Sequence, residues 1–212
     1  MKKFVIAVLL GVVCLSAGVQ VQAQAFPEIP AKAQTKQEDE TNLETHLFLI
    51  VASNQDVVDS KLPSSLDGVV RQLRASLPFK NYRLVSTLIN RVKNDGSLKL
   101  NWVGAPMTSI AATSPNTPSF SHFNIRQVRL VRNTEGQQLI QMAGFSFGAR
   151  VPIQMGAIAA GGEVRPTTSY EQTGLGTDIS MKEGEPVIVG TLNVGPSGDA
   201  IILVVSAKRA SN

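Results

Sequence analysis

Two kinds of apolar pattern recur along the chain, and each predicts a different element. Leu47-Phe48-Leu49-Ile50-Val51 is an unbroken apolar run of strand length. Such a run fits a strand covered on both faces. Ile201-Ile202-Leu203-Val204-Val205 is a second run of this kind and predicts another central strand. Between them, Leu66, Val69, Val70 and Leu73 recur at i, i+3, i+4 and i+7, the single apolar stripe of an amphipathic helix. Pro63 and Ser64 open that helix, with Asp67 three residues on as in a capping box, and Pro78 ends it. Residues 82–92 read as a strand, with Tyr82, Leu84 and Leu88 on one face and Val85 and Ile89 on the other. Leu98, Leu100 and Trp102 alternate against Lys99 and Asn101, which marks a strand over 97–103. Lys93-Asn94-Asp95-Gly96 joins the two as a turn, with Gly96 available for positive φ.

Residues 104–119 are rich in Ser, Thr, Pro and Ala and have no period, so they read as a long surface loop or a boundary. Beyond them the helical period disappears. Strands are expected over 122–132, 137–147, 175–181, 186–192 and 200–207, with 156–168 as a second, Gly/Ala/Thr-rich loop. The fold class expected is α+β: a small strand-helix-strand-strand module over 45–103, a loop over 104–120, then a β-rich, sandwich-like antiparallel region over 121–208.

The amino-terminal end changes the picture from fold to location. Lys2 and Lys3 precede an apolar run over 4–15, and Ala23-Gln24-Ala25 gives the small-x-small spacing of a cleavage site. This reads as a secretory signal over 1–25. Cleavage would leave 187 residues with 18 basic and 16 acidic side chains, a net of +2. So balanced a surface gives no electrostatic reason to expect a nucleic-acid partner. Residues 26–44, rich in Pro, Gln, Lys and Glu, read as a disordered linker. The one cysteine, Cys14, falls within the signal, and Gly11-Val12-Val13 lacks the small residue expected before a lipid-modified cysteine. A mature chain without cysteine must be held by its core, not by disulfides. No second apolar run reaches the ~18–20 residues of a membrane helix, so no stable membrane span is expected after signal cleavage.

The candidate chemistry is thin. Gly144-Phe145-Ser146-Phe147-Gly148 matches G-x-S-x-G, but that motif needs a strand, a sharp turn and a helix presenting the serine. Ser146 instead sits at strand alternation between two phenylalanines, and His46 and His122 both precede it. The histidines lie 76 positions apart, outside any local ligand pattern. Asp56 and Asp59 lack the glycine and distal glutamate of a calcium loop. Arg126, Arg129 and Arg132 do not share one strand face and lack interleaved aromatics. Gly161-Gly162 and Gly174-Leu175-Gly176 lack the following helix of a phosphate loop and read as turns and mobile loop. No catalytic, cofactor-binding or metal residues are expected.

Longer stretches carry a resemblance. Gly148-Ala149-Arg150-Val151-Pro152-Ile153, then the Gly-rich stretch 156–168, then Tyr170-Glu171-Gln172-Thr173-Gly174-Leu175-Gly176-Thr177-Asp178-Ile179 resemble consecutive segments of the C-terminal β-domain of bacterial secretins, ring-forming outer-membrane channels. Lys182-Glu183-Gly184-Glu185-Pro186-Val187-Ile188-Val189-Gly190-Thr191-Leu192 is similar to that family's Gly-rich hairpin, and 201–206 to its closing apolar strand. The segment from Leu62-Pro63-Ser64-Ser65-Leu66-Asp67 looks like the opening of the helix in the small α/β modules beneath such channels. Thr191 stands where a second glycine is usual, and residues 151–178 read as too short for membrane-crossing hairpins. The resemblance implies an exported, non-enzymatic envelope protein, periplasmic or outer-membrane-associated. Its partners would be other envelope proteins or further copies of itself, met through strand addition at a sheet edge. The alternative is a small exported enzyme or ligand binder with its site in 148–171, built from Arg150, Glu163, Arg165, Tyr170 and Glu171.

Overall fold

The two unbroken apolar runs meet. β1 (Asn42–Ser53) and β9 (Asp199–Arg209) pair antiparallel, Leu47 opposite Val205 and Ile50 opposite Ile202. β2 (Asn81–Lys93) flanks β1 and β8 (Val187–Val194) flanks β9, so sheet A runs β2-β1-β9-β8. The computed structural model describes residues 41–55, 62–104, 107, 117–160, 163–195 and 198–210. The expected signal over 1–25, the linker to residue 40, Asp56, Asp59 and Gly161-Gly162 lie outside the described residues.

Both faces of β1 and β9 are buried because sheet A is the middle of three layers. On one face a 3-10 turn (Ser64–Leu66) and α1 (Asp67–Ser76) lay Leu66, Val69 and Leu73 against Phe48, Ile50, Tyr82, Ile202 and Val204. The apolar stripe is thus the buried face of the helix, as its spacing requires. The capping box does not form. Pro63 is the first cap, without a side-chain hydrogen bond, and the Leu66 N–H donates to the Pro63 carbonyl at 2.9 Å. Proline's fixed φ and the tight 3-10 turn start the helix instead.

The other face of sheet A packs on sheet B. β3 (Leu98–Gly104), β4 (Ser119–Ile125), β5 (Gln127–Arg132), β6 (Gln138–Ala160) and β7 (Glu163–Lys182) form it, in the order β3-β4-β6-β5 with β7 on the far edge of β6. Leu49, Val51, Leu203 and Val205 meet Phe123, Ile140, Met142, Phe145 and Phe147 between the sheets. Met107 is buried in that core too, although it falls in the stretch expected to be surface loop.

The chain is β-rich α+β, and the sandwich is antiparallel throughout. Sheet connectivity nevertheless cuts across the expected division at 104–120. β1 and β2 belong to one sheet with β8 and β9, while β3 belongs to the other. Burial explains this: the two most apolar strands, from opposite ends of the chain, need cover on both faces and obtain it only side by side in the middle layer. β1 also opens at Asn42, inside the expected linker.

Register defects redirect side chains. A bulge in β2 opposite Leu49/Ile50 reverses the parity of the strand. Tyr82 and Leu84 therefore face α1 while Leu88 packs between the sheets, and Ile89 is exposed. A second bulge at Gly144 (φ +63°) puts Ile140 and Met142, and then Phe145 and Phe147, into one core. The Gly144 N–H donates to Asp178 Oδ1 at 2.6 Å. In the β2–β3 turn the left-handed residue is Asp95 (φ 64°), not Gly96. A Cβ at Gly96 would lie 2.7 Å from the Lys93 carbonyl, so glycine is needed there for space.

The largest departure is over 148–182. Residues 156–160 and 163–168, expected as loop, are paired strand, as is Gly174-Leu175-Gly176. β6 pairs with β5 over 138–143 and with β4 over 146–150. From Val151 onward its strand partner among the described residues is β7, out to Ala160 opposite Glu163. The result is an arm of two strands continuing past β4. The stretch expected to be loop thus builds a single long hairpin.

Candidate functional site: the outer face of sheet B

The residues that pack outward from sheet B follow from its register. Val103, Phe120, Arg150 and Gln172 stand opposite one another across β3, β4, β6 and β7. The next row is Asn101, His122, Gly148 and Gly174, and the next Lys99, Asn124, Ser146 and Gly176. Side chains on β3 and β4 are tall, whereas β6 and β7 present mostly bare backbone. The face is therefore a wall beside a trough.

Close approach requires the glycines. A Cβ on Gly148 would come within 2.1 Å of the His122 ring, which lies directly over it. A Cβ on Gly174 would come within 2.6 Å of the Phe147 carbonyl oxygen. Two hollows follow. One, of about 350 Å³, is lined by Val103, Phe120, Arg150 and Gln172 among others. The second, of about 580 Å³, is lined by His122, Ser146, Gly148, Gly174 and Gly176, and shares His122 and Gln172 with the first.

An aromatic and cationic cluster closes one end. The Phe120 and Tyr170 rings are tilted with centroids 5.9 Å apart, and the Arg150 guanidinium lies 5.7 Å from the Tyr170 centroid. The Tyr170 hydroxyl donates to the Pro118 carbonyl at 3.0 Å, which fixes the ring. Val103 is 62 % exposed, Phe120 43 % and Tyr170 37 %. Large apolar groups left this open and this close together mark surfaces that meet other molecules.

Of the five residues named for a site in 148–171, the fold brings together Arg150 and Tyr170. Glu171 stands opposite Val151, on the alternate side of β7. Glu163 and Arg165 lie at the far end of the arm, opposite Ala160 and Ile158. Five to seven residues of extended strand, roughly 16–23 Å, separate them from Tyr170, so the five do not converge.

Ser146 lies mid-strand, opposite Asn124 and Gly176, with buried Phe145 and Phe147 beside it. It is not at the strand-to-helix turn a nucleophile elbow needs. His46 and His122 occupy opposite outer faces of the sandwich. On the helix side of sheet A, His46 Nε2 is 2.9 Å from Glu44 Oε1 and Lys208 Nζ is 3.3 Å from it, which holds the Glu44 carboxyl below its usual range. Arg129 pairs with Asp95 at 3.0 Å. Alternation about buried Val128 places Arg129 and Arg132 on different faces. Missed by sequence reasoning were Phe120, Val103, His122 and Gly148 as one surface. Their only sequence signal is alternation within β3, β4 and β6, and it gives no neighbour.

This geometry defines a helix-backed β-sandwich with an open outer face and a projecting two-stranded arm. No family model and no curated protein matches the sequence. Among solved structures, the Salmonella SPI-1 type III secretion injectisome secretin InvG is similar over 81 % of this chain and 65 % of that chain, at 9 % identity and a TM-score of 0.32. A chain from the SPI-1 basal body proteins InvG, PrgH and PrgK gives the same identity and TM-score, with 46 % of that chain covered. The InvG secretin-domain β-barrel gives 10 % identity, a TM-score of 0.33 and 64 % coverage. The chain thus spans less than two-thirds of the length of each.

Proposed function

We propose that this protein is an exported, non-enzymatic component of the bacterial envelope that works by assembling with other envelope proteins or with further copies of itself. The observation that carries the reading is the β6–β7 arm. Over 153–160 and 163–169 its two strands pair in the sheet only with each other among the described residues. Each therefore presents a row of backbone N–H and C=O groups outward. An isolated two-stranded ribbon is marginal in water, and an open edge is a template for another strand. A neighbouring chain adding to either edge satisfies those groups and gives the arm a role. The residues that resemble secretins, 148–153 and 170–179, frame this same arm, and the charged amino-terminal start with its apolar run supports export.

The test is the mass in solution of the exported chain beside a variant in which 154–168 is replaced by a two-residue Asn-Gly turn joining the Ile153–Ser169 pair. The full chain is expected to form defined oligomers, or to capture a specific envelope protein after cross-linking. The shortened variant should stay folded and lose both. A chain that remains monomeric and uncaptured, or a variant that assembles as well as the parent, would overturn the proposal.

A further inference from the structure

We infer that the outer face of sheet B binds an extended, carboxylate-bearing segment of a partner protein, with Arg150 as its anion contact and Phe120, Val103 and Tyr170 as its apolar wall. This rests on the docking role proposed above but uses the sheet face at the base of the arm, where Tyr170 stands, and not the arm's outward edges.

The first support is charge. In the three rows that build the face the ionisable groups are Lys99, His122 and Arg150, without a carboxylate among them. The nearest acidic side chain along the trough, Asp178, already accepts the Gly144 N–H. A ligand complementary to this face is anionic.

The second is the state of Arg150. Its guanidinium lies over the Tyr170 ring, and Tyr170 is tethered to Pro118. At 5.7 Å this is a cation–π approach, which holds the guanidinium on the Tyr170 side of the trough and restricts the side chain before a carboxylate arrives. Exposed Tyr and Arg beside apolar groups are also the side chains that dominate protein-binding hot spots.

The third is shape. The hollow of about 580 Å³ runs along β6 and β7 beside the His122 ring, which covers Gly148, and the side-chain-free Gly174 and Gly176 keep its floor low enough for a peptide lying along the strands. A second copy docked face to face would set Arg150 and Lys99 against the same cations, which disfavours self-association here.

The experiment uses the exported chain and three fluorescein-labelled decapeptides: alternating Val-Asp, alternating Val-Asn and alternating Val-Lys. Anisotropy should show the Val-Asp peptide binding about tenfold or more tightly than Val-Asn, the worth of one charge-assisted hydrogen bond. Binding should weaken with salt, and Val-Lys should not bind. Arg150→Glu should reverse the order of Val-Asp and Val-Lys, and Phe120→Ala should weaken Val-Asp without reversing it. Both are exposed positions, and circular dichroism checks the fold of each variant. Amide resonances of Gly148, Gly174 and Gly176 should shift with Val-Asp and not with Val-Lys. Equal binding of Val-Asp and Val-Asn, binding unchanged in Arg150→Glu, or glycine shifts produced by tetra-N-acetylchitotetraose and not by Val-Asp would each overturn the inference. Because solution mass and cross-linking are read without peptide, failure here is distinct from failure of assembly through the arm.

Discussion

Ile202 and Leu203 are adjacent on β9 and point into different cores. Ile202 packs with the helix layer and Leu203 packs between the sheets, each 0 % exposed. Cutting either to alanine removes three carbons. At about 0.8 kcal/mol per buried methylene the transfer loss is about 2.4 kcal/mol. The unrelaxed cavity raises this toward 3–4 kcal/mol, within the roughly 2–5 kcal/mol range of such truncations. Both sides of β9 are flanked by strands, so neither cavity can collapse by moving an edge. Urea unfolding of the two single variants is the assay. With a slope of about 2 kcal/mol per molar, each midpoint should fall by about 1.5–2 M with the slope unchanged. A sheet covered on one face only would make one of the two nearly silent. If either variant shifted by less than about 0.5 M at an unchanged slope, the three-layer account would be refuted.

Three further outcomes follow from particular contacts. Tyr82→Phe removes the buried hydroxyl that donates to the Leu73 carbonyl at 3.2 Å and should cost about 0.5–1.5 kcal/mol by the same assay. Burial also pushes the Tyr82 phenol up, partly offset by Arg74, so stability should fall above about pH 10 as the unfolded chain ionises first, and Tyr82→Phe should lessen that loss. Gly174→Ala should destabilise by about 1–3 kcal/mol, since its methyl meets the Phe147 carbonyl of a paired strand. Gly148→Ala meets only the exposed His122 ring, which can swing away, and should cost much less. The Arg209 side chain and backbone N–H hold the Glu183 carboxyl below its usual range. A depressed carboxyl contributes fully above its unfolded value and loses that contribution as pH falls through its lowered folded value. Glu183→Gln should therefore lower stability modestly near neutrality, change little at a pH where Glu183 is already protonated, and so flatten the acid side of a stability-against-pH curve.

What the chain discloses before folding depends on how local the cause is. The apolar runs at 47–51 and 201–205 and the stripe Leu66, Val69, Val70, Leu73 state their own burial, and the layers follow from them. The face assignment of Leu88 failed because a bulge opposite Leu49/Ile50 reverses parity, and no residue type announces a bulge there. The arm was missed because its strands are rich in Gly, Ala and Thr and β7 contains Pro166, a composition shared with loops. The candidate site was least legible. Gly148 and Gly174 are opposite each other only because β6 and β7 pair in one register. Phe120 reaches Tyr170 across fifty residues of sequence.

The account turns on whether the outward edges of the arm are completed by another chain. Amide hydrogen exchange over 153–160, 163–165 and 167–169 measures that directly, on monomer and on assembled protein compared at one pH. The amides facing away from the β6–β7 ladder should exchange freely in the monomer and become protected on assembly, while those of β1 and β9 stay protected in both. Equal exchange of the arm amides in the two states would contradict the account.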